Sequence, residues 1–302
     1  MKFLVLGSLN IDIVYQLPHI VAPGETITSY KRSIHPGGKG ANQAAALARA
    51  GADTFMAGKI GADGIFLKNI LDEFNVNTSM IKIDRENPSG HGLIQLAQNG
   101  ENSIVLFPGT NRQIGDDEID RVISNFTPGD IILLQNEINS LEQIITKAAE
   151  RKMKIAFNPA PFTGDVMNLP IDQVSYMFVN RIEAAQLTQM TENTPPETLI
   201  RAAAEKMPNA EIILTLGSEG AIHCCNNVIT HAEAFKVSPV DTTGAGDTFI
   251  GFFLCHRAGG EKPETAMQYA AAASAIAITQ LGAMNSIPSA HDVENFISTR
   301  KS

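Results

Sequence analysis

Short apolar runs alternate with amphipathic segments along most of this 302-residue chain, and no other feature restricts the fold as strongly. Such alternation is typical of a mainly parallel sheet with helices on both faces. Six runs are predicted strands: 2–7, 53–58, 130–135, 153–158, 176–180 and 211–217. Helices are predicted between them, including 41–50, 64–74, 140–151, 196–207 and 264–280. The sequence therefore predicts a doubly wound α/β fold.

Two regions, about 11–37 and 89–108, depart from this alternation. Their apolar and polar residues alternate with a period of two and are interrupted by Gly and Pro. The stretch "GHGLIQLAQNGENSIVLF" is typical of a β-hairpin that turns at "NGEN". We expect these regions to form a small β-sheet attached to the α/β core, within one domain that spans residues 1–302.

Composition and charge disfavour several classes of function. A formal net charge of -9 disfavours a nucleic-acid-binding surface. No run approaches 18 apolar residues, so no membrane span is expected, and the N-terminal apolar run is too short for a signal peptide. The three cysteines form no CxxC pair, and the seven histidines form no HExxH motif, so a zinc site is not expected. Unpaired, buried thiols in a reducing cytoplasm are the expectation.

Polar residues follow several of the predicted strands, where an open α/β sheet binds its ligands. Any one of them could instead cap a helix, because Asn and Thr often do so. Their recurrence along one edge of the sheet favours a binding site. These residues are Asn136, Glu137, Asn158, Asn180, Glu183, Thr215 and Gly217.

The glycine-rich stretch "PGGKGANQA" (36–44) fits neither of the two commonest nucleotide-binding motifs. It lacks the Walker A pattern, and the first strand is followed by "GSLNID" rather than by G-x-G-x-x-G. Its small residues could still let a ligand approach the backbone, with Lys39 and Asn42 as donors. A plain turn before a helix is the alternative.

A second glycine-rich stretch, "VDTTGAGDTFIG" (240–251), is typical of a turn that leads into an apolar helix. The N–H groups of Gly244, Ala245 and Gly246 would lie at the helix N-terminus and could bind an anion. Asp247 would lie in the first turn, where an acidic residue is favourable for the helix alone. Donors beside a carboxylate are also what phosphoryl transfer requires, since the carboxylate orients a hydroxyl and accepts its proton.

These two stretches resemble the two signatures of the PfkB, or ribokinase-like, carbohydrate kinases. The resemblance covers essentially the whole chain, with further matches at "GSLNID" (7–12), "PGET" (23–26), "NPAP" (158–161), Asn180–Glu183, "TLGSEG" (215–220) and "LGAMNSIP" (281–288). It implies a ribokinase-like fold with a small β-sheet lid. It also implies ATP-dependent phosphorylation of D-ribose at O5, which gives ribose 5-phosphate and ADP.

The resemblance also implies a role for each matching residue. Asp247 would be the base, and Gly244, Ala245 and Gly246 the anion hole. The sugar would be held by Asn10, Asp12, Gly38, Lys39, Asn42 and Glu137. ATP would contact Asn180, Glu183, Thr215, Gly217, Ser218, Gly220 and Gly246, with Mg²⁺ held by Glu183 partly through water. A monovalent cation would be held by Asp241, Thr243, Ala277, Gln280, Gly282 and Ser286. Because these ligands are oxygens, the cation is expected to be K⁺.

The lid would cover the sugar, and two lids would pack together in a homodimer. Another kinase of the family remains an alternative, with deoxyribose, fructose, 2-keto-3-deoxygluconate or a nucleoside as substrate. A nucleoside would favour an aromatic platform, which is not evident in a chain with no Trp and four Tyr. Residues 107–110 could contact the sugar and differ between related kinases. A sugar- or nucleotide-binding regulator without catalysis is disfavoured by the intact Gly244, Gly246 and Asp247.

Overall fold

A computed structural model describes residues 1–300 of the chain. Its strands are β1 (Phe3–Leu6), β2 (Asn10–Leu17), β3 (Lys31–Gly37), β4 (Thr54–Gly61), β5 (Asn77–Asp84), β6 (Gly90–Ala97), β7 (Asn102–Phe107), β8 (Ile131–Gln135), β9 (Lys154–Asn158), β10 (Tyr176–Asn180), β11 (Glu211–Thr215), β12 (Ala221–Cys225) and β13 (Val228–Ala232). Its α-helices are α1 (Lys39–Arg49), α2 (Ile65–Glu73), α3 (Asp116–Ile123), α4 (Leu141–Glu150), α5 (Arg181–Thr188), α6 (Pro196–Lys206), α7 (Ala245–Ala258), α8 (Pro263–Ala277) and α9 (Ala290–Ser298).

Nine strands form a large sheet in the order β13-β12-β11-β10-β9-β8-β1-β4-β5. The pairs from β5 to β11 are parallel, and the two pairs at the other edge, β11 with β12 and β12 with β13, are antiparallel. Because parallel strands are covered by helices on both faces, β8 contains the continuous apolar run IILL before Gln135. All six predicted strands are present, whereas β5 at the opposite edge was not among the predicted strands.

Two hydrophobic cores lie on opposite faces of this sheet. Alternate residues of one strand enter different cores, so Phe3 and Val5 face one and Leu4 and Leu6 face the other. The first core includes residues of α1, α2, α7, α8 and α9, and the second includes residues of α3, α4, α5 and α6. The predicted doubly wound α/β class, with helices on both faces and a small additional sheet, is confirmed.

The small sheet has four strands in the order β3-β2-β6-β7. Its central pair, β2 and β6, is parallel, and the two outer pairs are antiparallel. β6 and β7 form the predicted hairpin, in which the Ala97 N–H donates to the Glu101 carbonyl. All four strands come from the two segments that depart from the α/β alternation.

Helices α1 and α7 pack closely against each other on one face of the large sheet. Gly251 of α7 allows this approach, because a Cβ atom there would lie 2.7 Å from the Ala46 carbonyl carbon of α1. Both helices begin at the same end of the sheet, so their first turns lie side by side.

No helix within residues 1–300 is both long enough and apolar enough to cross a membrane.

Candidate active site

The buried carboxylate of Asp247 lies in the first turn of α7, beside the first turn of α1. Asn42 of α1 donates its Nδ2–H to Oδ2 of Asp247 at 3.0 Å, and Gln43 donates its Nε2–H to Oδ1 at 2.9 Å. Each carboxylate oxygen is therefore held by one amide of α1. The glycine-rich stretches, more than 200 residues apart in sequence, meet at this point.

Burial raises the pKa of Asp247, although Lys39 and the Gln43 and Asn42 amides oppose this rise. Burial therefore outweighs the helix N-terminus in setting the direction of the shift in the pKa of Asp247. Asp247 in turn raises the pKa of Lys39, which keeps its ammonium charged. The site thus pairs a buried carboxylate with a fixed positive charge.

Glu137 follows β8 and lies at the same edge of the sheet. Its Oε2 accepts hydrogen bonds from the Ser8 hydroxyl and, at 3.2 Å, from the Lys39 backbone N–H. Burial raises the pKa of Glu137, and the charge of Lys39 opposes that rise. Ser8 also accepts the Gly40 N–H at 3.2 Å, so this hydroxyl joins β1 to the start of α1.

Asn10 and Asp12 lie two residues apart in β2 and therefore on one face of the small sheet. Burial, followed by the charge of Glu137, raises the pKa of Asp12 to about 6. Gly37 of β3 leaves space for this carboxylate, since a Cβ atom there would overlap Asp12. Gly38 has φ 92°, and a Cβ atom there would lie 2.9 Å from the Asn10 nitrogen. Glycine is therefore required where the chain turns into α1.

The start of α7 provides unpaired backbone donors. Gly244 precedes the helix with φ 77°, a conformation that favours glycine. The Ala245 N–H donates to the Thr242 carbonyl at 3.3 Å. The N–H groups of Gly244, Gly246 and Asp247 have no acceptor among the described residues. They stand at the positive end of the helix dipole, where an anion is stabilised.

Asn180 and Glu183 form a capping box at the start of α5. The Asn180 side chain accepts the Glu183 N–H at 2.9 Å, and Glu183 accepts the Asn180 N–H at 3.0 Å. Burial raises the pKa of Glu183, and the charge of Asp247 adds to this rise while the charge of Lys39 opposes it. The capping box is present, and the interaction of Glu183 with Lys39 and Asp247 places its carboxylate near the site, so the cap interpretation does not exclude the predicted ligand role.

Thr215 pairs with Asn180 in the adjacent strands β11 and β10, which places the next turn beside the capping box. That turn contains Gly217, Ser218 and Gly220, and the Leu216 N–H closes it on the Gly220 carbonyl at 2.8 Å. Gly217 and Ser218 are exposed in this turn, so their polar groups are accessible to a ligand.

Two segments next to α7 carry the residues predicted to hold a monovalent cation. Asp241 accepts the Thr243 N–H at 2.9 Å with one oxygen and the Gly282 N–H at 2.9 Å with the other. The Ile278 carbonyl accepts the N–H groups of Val240 and Asp241, which joins the segments again. The set combines a carboxylate, hydroxyls and backbone carbonyls, the hard oxygen ligands that such a cation prefers. Its members are Asp241, Thr243, Ala277, Gln280, Gly282 and Ser286.

Several residues of the site were not singled out from the sequence. Gln43 contacts Asp247, Ser8 contacts Glu137, and Asn111 donates its Nδ2–H to Asn10 at 2.7 Å. Gln43 follows Asn42 in a recognised motif, which was the only available signal. One strand-end residue points elsewhere, since Asn136 donates to the Pro161 carbonyl at 2.7 Å. Asn158 donates to the Phe178 carbonyl at 3.1 Å and accepts the Gln43 Nε2–H at 3.2 Å, so it is linked to Asp247 through Gln43.

The arrangement combines a buried carboxylate, free N–H donors at a helix start and a polar cluster shared with a second sheet. This is the architecture of an enzyme that transfers a phosphoryl group to a small hydroxylated molecule. The profile of the "pfkB family carbohydrate kinase" matches residues 2–290. The chain belongs to the PfkB family of carbohydrate kinases.

Relatives and solved structures extend this result. The chain is 33% identical over 298 residues to a ribokinase of Bacillus subtilis, with 97% of this chain and 98% of that protein covered. It is 30% identical over 306 residues to a deoxyribokinase of Salmonella typhi, with 99% of each covered. Its fold is similar to that of Arabidopsis thaliana ribokinase complexed with ribose and ATP, with a TM-score of 0.88, 28% identity and 98% of each chain covered.

Proposed function

We propose that this kinase phosphorylates D-ribose at O5 with ATP and releases ribose 5-phosphate and ADP, the ribokinase reaction. One observation carries the proposal: Asp247 is held by Asn42 and Gln43 next to unpaired N–H donors. The Bacillus ribokinase supports the choice of sugar, as does the Arabidopsis ribokinase structure that contains ribose and ATP.

In the proposed mechanism, the sugar hydroxyls are held by Asn10, Asp12, Gly38, Lys39, Asn42 and Glu137. Asp12 and Glu137 supply acceptors, and the Lys39 ammonium supplies donors. The Oδ1 of Asn42 is buried and has no partner within residues 1–300, so it can accept a further hydroxyl. A cluster of this kind orients several adjacent hydroxyl groups, as a small polyhydroxylated sugar requires.

Asp247 accepts the proton of the primary hydroxyl while the sugar oxygen attacks the γ-phosphorus of ATP. The bond between that phosphorus and the bridging oxygen of ADP breaks, and ADP leaves with its electron pair. The N–H groups at the start of α7 stabilise the charge on the transferred group. Burial of Asp247 raises its pKa and so improves it as a base.

ATP is proposed to bind along Asn180, Glu183, the turn that contains Thr215, Gly217, Ser218 and Gly220, and the Gly246 N–H. Glu183 would hold Mg²⁺ partly through water, and its carboxylate suits a hard cation. When bound, Mg²⁺ neutralises phosphate charge. The capping box fixes the Glu183 carboxylate before any ligand arrives, because Asn180 donates both N–H and Nδ2–H to it.

We also propose that K⁺ is held by Asp241, Thr243, Ala277, Gln280, Gly282 and Ser286. The hydrogen bonds between these two segments support this, since they already fix the loop that precedes Gly244. When bound, K⁺ adds positive charge behind the anion hole. A cytoplasmic location is proposed as well, where ATP is available.

The small sheet is proposed to act as a lid over the sugar, formed by about residues 11–37 and 89–108. A lid would exclude water and limit hydrolysis of ATP. Two apolar residues of the lid are exposed to solvent, since Val105 is 62% exposed and Ile104 is 51% exposed. These apolar residues support a homodimer in which the lid contacts a second copy. Sedimentation of the purified chain as a monomer would contradict that assembly.

A panel of sugars, assayed for ADP release with Mg²⁺ in K⁺ and in Na⁺, tests the proposed function. The panel contains ribose, 2-deoxyribose, fructose, 2-keto-3-deoxygluconate and adenosine. Ribose-dependent turnover that increases in K⁺ is expected. Turnover only with 2-deoxyribose would favour the activity named in the Salmonella relative and would correct the sugar while keeping the mechanism. Measurable ATP binding without turnover on any sugar would contradict the proposed reaction.

A further inference from the structure

The short 3-10 turn Gly109–Arg112 follows the small sheet and carries Asn111, whose side chain is buried. The Leu9 N–H donates to Oδ1 of Asn111 at 3.0 Å, and the Asn111 Nδ2–H donates to Oδ1 of Asn10 at 2.7 Å. The same Nδ2 lies 3.4 Å from the Leu9 carbonyl oxygen. Asn111 therefore bridges the backbone before β2 and the first side chain of β2.

These contacts determine which way both amides point. A backbone N–H can only donate, so the Asn111 atom opposite Leu9 N is the oxygen. Its nitrogen then faces Asn10, and the Asn10 atom that receives the bond must be the oxygen. The Asn10 Nδ2 is left as a donor without a partner within residues 1–300. Asn10 thus offers donors to a ligand, while Asp12 on the same face offers acceptors.

The turn that carries Asn111 is itself anchored to both sheets. Thr110 donates its hydroxyl to the Lys59 carbonyl of β4 at 2.8 Å and its N–H to the Pro88 carbonyl at 3.1 Å. Gly90, the first residue of β6, is paired with Asn10 and has no room for a side chain, because a Cβ atom there would overlap both Asn111 and Asn10. The bridge thus crosses the base of the small sheet, where both central strands begin.

We propose that Asn111 is a positioning residue that fixes the Asn10 amide with its donors toward the sugar. The sugar-binding role of Asn10 rests on the proposed function above. Asn111 touches no ligand itself and acts only through Asn10. The base of the small sheet and the polarity of the sugar site are therefore set by the same hydrogen bond.

The test compares Asn111→Asp with a matched control, Asn139→Asp. Asn139 makes the same kind of bridge, since it accepts the Ile114 N–H at 3.0 Å and donates to the Ile114 carbonyl at 2.8 Å. It contacts none of the proposed sugar ligands. In Asn111→Asp, a carboxylate oxygen would face the Asn10 oxygen, and the Asn10 amide would turn over to donate to it. The donors would then be lost to the sugar.

We expect Asn111→Asp to raise the KM for the sugar about tenfold, which corresponds to about 1.4 kcal/mol. The KM for ATP should stay within about twofold, as expected for the loss of a sugar contact alone. The control should lower the Tm in a similar way without changing either KM. An unchanged sugar KM in Asn111→Asp, or an equal rise in both variants, would overturn the proposal.

A double-mutant cycle on Tm tests the same bond without any substrate. Asn10→Ala, Asn111→Ala and the double variant are compared with the wild type. Because both single changes remove one shared hydrogen bond, the loss of Tm in the double variant should be smaller than the sum of the single losses. Additive losses would overturn the proposal. This readout stays decisive if the wild type fails to use ribose, an outcome that would contradict the proposed function alone.

Discussion

Replacing Asp247 with Asn removes the proposed base while keeping the shape of the side chain. Loss of a general base lowers turnover typically by ~10²–10⁴-fold. Since each tenfold corresponds to about 1.36 kcal/mol, the barrier should rise by about 3–5 kcal/mol. The rate of ADP release at saturating sugar and ATP, followed in a coupled assay, measures this change.

The same substitution should change stability much less than turnover. Asp247 accepts one amide bond on each oxygen, and Asn would place an NH₂ group against the NH₂ of Asn42 or Gln43. Loss of that bond costs about 1–3 kcal/mol, but the carboxylate also no longer has to be buried as a charge. The two effects have opposite signs, so we expect the Tm to change by only a few degrees.

Asp292→Asn is the matched control, because Asp292 occupies the same third position of α9 that Asp247 occupies in α7. It accepts the Ser289 N–H at 3.0 Å and caps its helix, and it makes no hydrogen bond to Asp247, Asn42 or Gln43. The control should lower the Tm slightly and keep turnover. An Asp247→Asn enzyme with more than a tenth of the wild-type kcat would refute the role of Asp247 as base.

Three further predictions concern pH, the cation and helix packing. Because the pKa of Asp12 is raised to about 6, its ionised fraction falls about fivefold from pH 6 to pH 5, so the sugar KM should rise about fivefold and Asp12→Asn should remove this dependence. The raised pKa also means that Asp12 favours folding below about pH 4 and loses that contribution as the pH rises through 6, so Asp12→Asn should raise the Tm more at pH 8 than at pH 4. Replacing K⁺ by Li⁺ should lower turnover in the wild type, and Asp241→Ala should abolish the difference between the two cations. Gly251→Ala should lower the free energy of unfolding, measured in urea, by about 1–3 kcal/mol, because the added methyl group would collide with Ala46. A variant more stable than the wild type would contradict the packing argument.

The sheet and its helices could be predicted because their signals are local. The strand β8 is a continuous apolar run, and the hairpin of β6 and β7 contains Asn-Gly at its turn. The strand β5 was missed because it is an edge strand with polar and exposed residues at several positions, so it lacks the apolar run of a buried strand. Local patterns thus predict the centre of the sheet better than its edges.

The site could be predicted only where a motif marks it. Asp247 and Lys39 lie in recognisable glycine-rich stretches, but the partners that hold Asp247 are about 200 residues away in sequence. The contact of Ser8 with Glu137 and the bridge through Asn111 are of the same long-range kind. No spacing rule reaches across such separations, because only folding brings these residues together. The rise in the pKa of Asp247 likewise depends on burial that the sequence does not specify.

The close contact of α1 and α7 at Gly251 has a consequence for how substrate preference could change. The helix α7 carries Asp247 and the unpaired N–H donors, and α1 carries the amides that hold Asp247, so these groups form one closely packed block. Asn10 and Asp12 instead belong to the small sheet, which is built from separate segments of the chain. Substitutions in those segments could alter which sugar is accepted while the block remains intact. The proposed sugar ligands are therefore divided between the block, which carries Lys39 and Asn42 beside Asp247, and the small sheet, where Asn10 and Asp12 can change without disturbing that block.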